Sequence, residues 1–126
     1  MRYLKKFESS EEYFKEVVDI KYDKLINLSH DHYDKLCMVM DDFVQKGICK
    51  YELTDFQFID IDGVVTVEVL KVLHIPRDEY IIVAELEDEW FAVERVIQLG
   101  ESSKIYLCDQ FEGLERLIIN LLYFTI

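Results

Sequence analysis

The first apolar pattern along the chain has the spacing of a helix. Apolar residues from Phe14 to Ile26 recur every three or four positions, and lysines fall between them. Ser9 and Glu12 stand three residues apart just before this run, as the two members of a capping box do. We therefore predict a helix over residues 10–28.

A second run with helical spacing follows after a short break. Its apolar stripe extends from Tyr33 to Val44, and either Ser29 or Asp31 can cap the first free amides. Gly47 comes just after this run and is typical of the residue that ends a helix. Because the connection between the two runs is short, we predict an antiparallel pair of N-terminal helices.

Further along the chain, apolar and polar residues alternate as they do in β-strands. Residues 56–69 alternate on both sides of Asp62-Gly63, a dipeptide that suits a two-residue hairpin turn. We expect residues 70–75 to extend the second strand until Pro76 ends it. The predicted pairing gathers one apolar face, formed by Phe56, Phe58, Val65, Val67 and Val69.

Residues 78–98 predict a second hairpin, which we call the acidic hairpin. With Asp88-Glu89 at the centre of its turn, Leu86 faces Phe91 and one side of the hairpin is apolar. Asp-Glu suits a two-residue turn poorly, and a longer loop is the alternative. Six carboxylates and no basic residue precede Trp90, the only tryptophan, within this stretch. The acids and Trp90 are thus predicted to crowd together at the turn. The same register pairs Ala84 with Val93, Ile82 with Arg95 and Tyr80 with Ile97.

The last predicted elements are a strand over residues 104–108 and a terminal helix capped by Asp109. The main face of this helix holds Phe111, Leu114, Leu117, Ile118 and Leu121. Its end is apolar almost all round, which indicates either burial against the sheet or a homodimer contact. We predict a single α+β domain over residues 1–126: two N-terminal helices, a meander of four to five antiparallel strands, and a C-terminal helix packed on the sheet.

Charge is distributed unevenly along the chain. The formal net charge is −12, and residues 51–126 hold 16 acidic but only 5 basic side chains. A surface of this sign attracts basic proteins and repels nucleic acid and anionic membranes. Three cysteines without a Cys-x-x-Cys motif, and an N-terminus without a signal-peptide run, predict a cytoplasmic protein without a membrane segment.

Two groups of residues have the types that chemistry uses, although neither has the spacing of a known motif. His30, Asp31 and His32 include metal-ligating types, but at a predicted helix start polar residues cap amides. Cys108, His74 and Asp109 are the types of a thiol nucleophile, its base and an orienting carboxylate, and nothing in the sequence brings His74 near Cys108. With four scattered glycines and no phosphate-binding loop, we expect no cofactor, no metal site and no catalytic residue.

Two hypotheses for function remain. The first is a non-enzymatic domain that docks a basic partner protein, as an inhibitor, an antidote or immunity protein, or a mimic of nucleic-acid charge. The alternative is a small α+β enzyme or ligand-binding domain with a pocket between sheet and helices, holding His74, Arg95 or Cys108. For the first hypothesis the predicted partner-binding residues are Glu85, Glu87, Asp88, Glu89, Trp90 and Glu94.

Overall fold

The protein structure is a computed structural model that describes residues 14–96 and 103–123. Within these two ranges the chain forms seven strands and two α-helices. Short 3-10 turns add one turn each at residues 22–24, 75–77 and 87–89. The elements are β1 (Phe14–Val17), β2 (Leu25–Ile26), α1 (His30–Gln45), β3 (Cys49–Asp60), β4 (Gly63–His74), β5 (Glu79–Leu86), β6 (Trp90–Val96), β7 (Lys104–Asp109) and α2 (Gln110–Tyr123).

The strands form one antiparallel sheet. Its order is β1-β7-β6-β5-β4-β3, and β2 pairs with β5 off this path. Each strand from β3 to β7 pairs with the next one along the chain, so these five form a meander. The predicted α+β class, the antiparallel sheet and the C-terminal helix are therefore confirmed. The predicted count of four to five strands is too low, because β1 and β2 also join the sheet.

The predicted first helix is wrong from Phe14 onward, and its start, with the Ser9–Glu12 capping box, lies outside the described residues. Residues 14–17 form β1 instead, which pairs with β7 at an edge of the sheet. Leu25 is buried in β2, whereas Val18, which the helical pattern places on the apolar face, is 94% exposed. Sheet pairing supplies partners for the backbone and a site for Leu25, and this outweighs a weak helical preference.

The predicted second helix is confirmed as α1. The hydroxyl oxygen of Ser29 accepts a hydrogen bond from the amide of His32, so Ser29 is the N-cap. Leu36 and Met40 from the predicted stripe are fully buried. Gly47 has a φ of 76° and reverses the chain after the helix, as predicted.

β3 and β4 form a long hairpin whose pairing begins at Asp60 and Gly63. The two turn residues are therefore Ile61 and Asp62, one position earlier than predicted. Because the turn moves by one position, each residue of β3 pairs with a residue of β4 two positions earlier than predicted. A shift of two keeps every side chain on its predicted face, so the same residues form the apolar face. From that face Phe58, Val67 and Val69 are buried.

The predicted register of the acidic hairpin is wrong by one residue. Its loop has three residues, Glu87 to Glu89, so Leu86 lies opposite Trp90 and not opposite Phe91. A shift of one residue moves every side chain of β6 to the other face. Phe91 therefore points towards the helices, and Trp90 points away from them. Ile97, the predicted partner of Tyr80, lies outside the described residues.

The sheet divides where β2 enters it. β4 pairs with β5 only from Leu70 to His74, and β2 takes the place of β4 beside the upper part of β5. Glu68 then bonds to the segment after β2: its amide donates to Asn27 Oδ1 at 2.8 Å, and its carbonyl accepts from the Leu28 amide at 3.0 Å. Residues 54–69, which we call the arm, therefore project from the rest of the sheet.

Two apolar clusters lie on opposite faces of the sheet. The first joins the sheet to α1 and α2 and includes Leu36, Phe91 and Leu117. The second lies on the face away from the helices, where Ile20 and Tyr22 pack against it. The chain between β1 and β2, which we call the crossing segment (residues 18–24), therefore passes over that face.

α2 packs against the sheet with the predicted face. Leu114, Leu117, Ile118 and Leu121 are buried, and Leu122 is buried beside them. Ile119 and Tyr123 are the exposed large apolar residues of this helix. Residues 124–126, the last of the apolar end, lie outside the described residues. The helix thus covers the sheet with most of its apolar surface.

Candidate partner-binding surface

The tip of the acidic hairpin is a tight loop made only of acids. Glu87, Asp88 and Glu89 are all exposed. Asp88 and Glu89 adopt left-handed conformations, with φ values of 64° and 61°. Non-glycine residues adopt this conformation at a cost of roughly 1–2 kcal/mol each. The loop holds its three carboxylates outward, so the predicted clustering of acids at the turn is correct for these residues.

Trp90 stands directly after the loop and lines a groove. The indole is half-buried on the face away from the helices, next to Leu86. The groove has a volume of about 350 Å³ and lies between the hairpin tip and the crossing segment. Its floor is apolar and its rim charged: Asp19, Ile20, Lys21, Lys24, Leu86, Glu87, Asp88, Trp90 and Leu107 line it.

One ion pair crosses the rim of this groove. Lys24 Nζ lies 3.7 Å from Glu87 Oε1, and both side chains are about half exposed, at 51% and 50%. A pair this exposed contributes little to stability, at most about 1 kcal/mol. A lysine or arginine of a partner protein can therefore replace Lys24 beside Glu87 with little loss of stability.

Glu85 lies away from the tip. It belongs to β5 and points towards α1, where its carboxylate is buried. Its Oε1 accepts a hydrogen bond from the Ser29 amide at 3.0 Å and lies 3.0 Å from Nδ1 of His32. The ring of His32 stacks on Phe111 and meets Phe91 edge-on. Glu85 thus fixes the start of α1 to the sheet, on the opposite face from Trp90.

Glu94 also lies apart from the loop. It pairs with Ile82 in β5 and with Ile105 in β7, on the face that carries Trp90. Glu94 is four positions from Trp90 along β6, which corresponds to a distance of roughly 13 Å. The structure therefore brings Trp90 together with the loop acids, places Glu94 further down the same face, and places Glu85 on the other face.

The crossing segment was missed by the sequence analysis as a part of this surface. Asp19, Ile20, Lys21 and Lys24 were assigned to a helix, although they line the groove. The local signal was limited to the spacing of two between Ile20 and Tyr22, which is typical of extended chain. The contact with Trp90 itself had no local signal, since it depends on where β2 pairs.

The candidate thiol pair does not assemble. Cys108 is in β7 and His74 is in β4, and β5 and β6 lie between them in the sheet, which implies a separation of at least about 14 Å. Both side chains are buried. Burial raises the pKa of the Cys108 thiol and lowers the pKa of His74, so the two favour their neutral forms.

Arg95 and His32, two other polar groups considered from the sequence, have structural partners. Arg95 Nε donates to Glu79 Oε1 at 2.9 Å, and this hydrogen bond raises the pKa of Arg95. His32 contacts Glu85, and His30 is exposed at the start of α1. Among the described residues, no group of three or more His, Cys, Asp or Glu side chains is placed to hold a metal ion.

Two further grooves are formed by the described residues. One, of about 410 Å³, lies between the crossing segment and the arm and is lined by Ile20, Lys21, Tyr22, Asp23, Asp62, Gly63, Val64 and Val65. The other, of about 310 Å³, is lined by Lys50, Tyr51, Glu52, Lys71, Leu73 and Tyr80. The first shares Ile20 and Lys21 with the groove beside Trp90. The groove beside Trp90 and the groove between the crossing segment and the arm therefore flank the crossing segment and form one continuous surface.

Comparison of the chain with protein-family models, with curated proteins and with solved structures finds no match. Within the part of the chain that the structure describes, neither helix combines the length and the apolar character needed to cross a membrane.

Proposed function

We propose that this chain is a non-enzymatic protein-binding domain whose acidic hairpin tip docks a basic partner protein. The observation that carries the proposal is the position of three exposed carboxylates beside Trp90 and its groove. Tryptophan is one of the residue types enriched among the residues that dominate binding energy in protein interfaces. The roles that suit such a domain are those of an inhibitor, an antidote or immunity protein, or a mimic of nucleic-acid charge.

The charge of the chain supports a basic partner. At a net charge of −12, the long-range field accelerates the approach of a cationic protein and slows that of an anionic one. Glu87, Asp88 and Glu89 lie at the rim, where charge acts mainly on the association rate. Trp90 offers the apolar contact that keeps the complex together once it has formed.

The test compares two variants of equal charge. Glu87, Asp88 and Glu89 all become lysine in the tip variant, and Asp34, Asp42 and Glu112 all become lysine in the control, which changes exposed acids on α1 and α2. Each protein is used as bait in cell lysate at low and moderate salt, and the affinity of each retained protein is then measured after purification. We expect the tip variant to lose a basic protein that the control retains.

The magnitude of the loss distinguishes specific from diffuse attraction. Loss of three rim charges should lower the association rate by at least about tenfold at low salt, and the difference should shrink as salt rises. Equal weakening in both variants means that only net charge matters, and an unchanged set of partners in the tip variant rejects the proposal. Replacing Trp90 by alanine should mainly raise the dissociation rate.

The alternative, a small enzyme or ligand-binding domain, expects a pocket that holds His74, Arg95 or Cys108. None of these three residues lines any of the three grooves described above. His74 and Cys108 are buried, and Arg95 is bonded to Glu79. No observation on the described residues therefore favours this function over protein binding. A homodimer through α2 stays a prediction.

A further inference from the structure

The turn of the arm exposes apolar residues where hairpins normally carry polar ones. Ile61 is one of the two turn residues and is 100% exposed. Ile59 and Val64 lie directly opposite each other in the pair of strands that leads to the turn, and they are 68% and 57% exposed. Turns favour Gly, Asn, Asp and Ser, so an isoleucine there has no role in forming the turn. Three adjacent exposed residues of this kind form an apolar patch.

The other end of the same face carries two carboxylates side by side. Asp55 lies directly opposite Glu68, so both side chains point to the face that carries Ile59 and Val64. Like charges in directly opposed positions destabilise a pair of strands. The sequence has no lysine or arginine between residues 54 and 69, and no ion pair joins Asp55 or Glu68 to another described residue. A cation from outside the chain would relieve this repulsion.

The two ends are held at a fixed spacing. Along β3, Ile59 and Asp55 are four residues apart, with Gln57 between them on the same face. At about 3.4 Å per residue this is a separation of roughly 13–14 Å. An extended segment of another protein has the same repeat, and its residues at positions i and i+4 also share a face. Such a segment can therefore contact the apolar patch with an apolar residue and the two carboxylates with a basic residue four positions away.

The edge of the sheet offers such a segment a place to pair. β3 stands last in the strand order, with β4 as its neighbour. An edge strand presents free amide and carbonyl groups to which an extended peptide can add as a further strand. Charge decides which kind of occupant fits. A second copy of this acidic chain, a nucleic acid and an anionic membrane are all repelled, whereas a basic protein is attracted.

We infer that the arm face, defined as Asp55, Gln57, Ile59, Ile61, Val64, Thr66 and Glu68, binds an extended segment of a basic protein. The segment carries an apolar residue against Ile59 and Val64 and a lysine or arginine, four residues away, against Asp55 and Glu68. The inference rests on the proposal that the partner is basic. It adds a second contact, on the opposite face of the sheet from Trp90, since Asp55 and Glu68 share the face of Leu53 and Leu70.

Two designed peptides of identical composition test the spacing. Each has one isoleucine and one lysine in a background of serine and threonine, four residues apart in the first peptide and three apart in the second. Both orders of isoleucine and lysine are made, since the direction of the segment is open. Binding to the full chain is followed by the amide chemical shifts of residues 55–68. We expect the first spacing to bind at least about tenfold more tightly, because the second places its two residues on opposite faces.

Variants of the arm distinguish binding from folding. Ile59→Thr with Val64→Thr keeps the β-branched shape and should weaken peptide binding about tenfold, whereas Met38→Gln, at an exposed apolar site on α1, should not. Asp55→Asn with Glu68→Gln should also weaken binding, while the melting temperature of the free protein stays the same or rises. A fall in melting temperature together with binding would instead show that these residues only maintain the arm.

Several results overturn the inference. If the two peptides bind equally well, the proposed spacing of four residues is wrong. If neither peptide changes the amide chemical shifts of residues 55–68, the arm face is not the binding site. A dimer in sedimentation that Ile59→Thr abolishes assigns the arm face to a second copy, and binding to zwitterionic lipid vesicles assigns it to a membrane. The tip variant with lysines at 87–89 separates the two proposals: if it keeps its basic partner while the arm variants lose it, the arm inference stands and the tip site fails.

Discussion

At the scale of single residues, carboxylates that are close together in the sequence have opposite roles. Glu85 is buried and bonded to the start of α1, while Glu87, two positions later, is exposed at the hairpin tip. The difference arises because β5 ends at Leu86: Glu85 is still a strand residue that faces α1, whereas Glu87 belongs to the exposed loop. An acidic run is therefore not one functional unit, and each carboxylate has to be assigned from its own surroundings.

Replacing Glu85 by glutamine should lower the free energy of unfolding by about 2 kcal/mol. The change weakens the charge-assisted hydrogen bond from the Ser29 amide and the contact with His32. The matched change Glu87→Gln affects an exposed side chain and should stay within about 0.5 kcal/mol of the parent. Urea denaturation of both variants measures the two values, and similar losses would contradict the assignment of Glu85 to the core.

His74 should make the protein less stable in mild acid. Burial lowers the pKa of His74 in the folded state below its ordinary value of 6.5, although Glu79 and a hydrogen bond with the Leu122 backbone oppose this. The unfolded chain then takes up the proton at a higher pH than the folded chain does. The stability linked to His74 is therefore fully present above about pH 6.5 and is lost as the pH falls through the folded-state value.

The measurement is the melting temperature between pH 7.5 and pH 5, compared with that of His74→Gln, which cannot titrate. The parent should lose more stability than the variant over this interval, because the carboxylates contribute equally to both. Parallel curves would show that His74 takes up its proton in the folded state as readily as in the unfolded chain.

At the scale of elements, the sequence predicted those whose apolar spacing is long and consistent. α1, α2, β7 and the faces of the β3–β4 hairpin agree with the structure, because each buries one side along most of its length. The predictions are wrong where a contact between residues distant in the sequence determines the secondary structure. Leu25 and Ile26 are strand residues only because β5 has a free edge beside them. No local pattern contains that information.

The predicted register of the acidic hairpin was wrong for a different reason. Its two strands were recognised, but the loop has three residues where the prediction used two, and positive φ values at Asp88 and Glu89 close it. The poor fit of Asp-Glu to a two-residue turn allowed a longer loop, but its length could not be predicted, because non-glycine residues rarely adopt a positive φ. One extra residue was enough to place Trp90 on the opposite face from the one predicted relative to Leu86. The groove beside Trp90 could not be predicted without that register.

The packing of α2 yields a prediction from two adjacent isoleucines. Ile118 is fully buried between the helix and the sheet, whereas Ile119 is 36% exposed. Ile118→Ala should lower the free energy of unfolding by about 2–5 kcal/mol, since it leaves a cavity. Ile119→Ala should cost less than about 1 kcal/mol. Denaturation measures both, and dependence of the Ile119→Ala result on protein concentration would indicate the homodimer contact through α2.

At the scale of the whole molecule, charge and architecture are separate matters. The buried clusters on the two faces of the sheet account for the fold, while most acids lie outside them and repel one another. Glu79 and Glu85 are the buried acids among the described residues, and each has a hydrogen-bond donor. The surface charge is thus free to serve binding, at the expense of some stability.

Salt should therefore stabilise the free protein. Raising the sodium chloride concentration from about 0.01 M to 0.15 M shortens the Debye length from about 30 Å to about 8 Å and screens the repulsion among acids. We expect the melting temperature to rise by a few degrees, which corresponds to roughly 1 kcal/mol for a chain of this size. The variant with lysines at 87–89 should show a smaller rise. A fall with salt would mean that attractive ion pairs outweigh the repulsion.

The pairing of β1 with β7 has a consequence for the order in which the protein can be made. Phe14 pairs with Cys108, and Val17 pairs with Ile105. A ribosome synthesises β1 early, but the neighbour of β1 does not exist until most of the chain has been translated. Until then β1 has no strand to pair with, and its apolar residues stay exposed to other proteins. Contacts this distant in sequence also slow folding. A nascent chain of this protein is thus expected to need protection at its beginning for longer than at its middle.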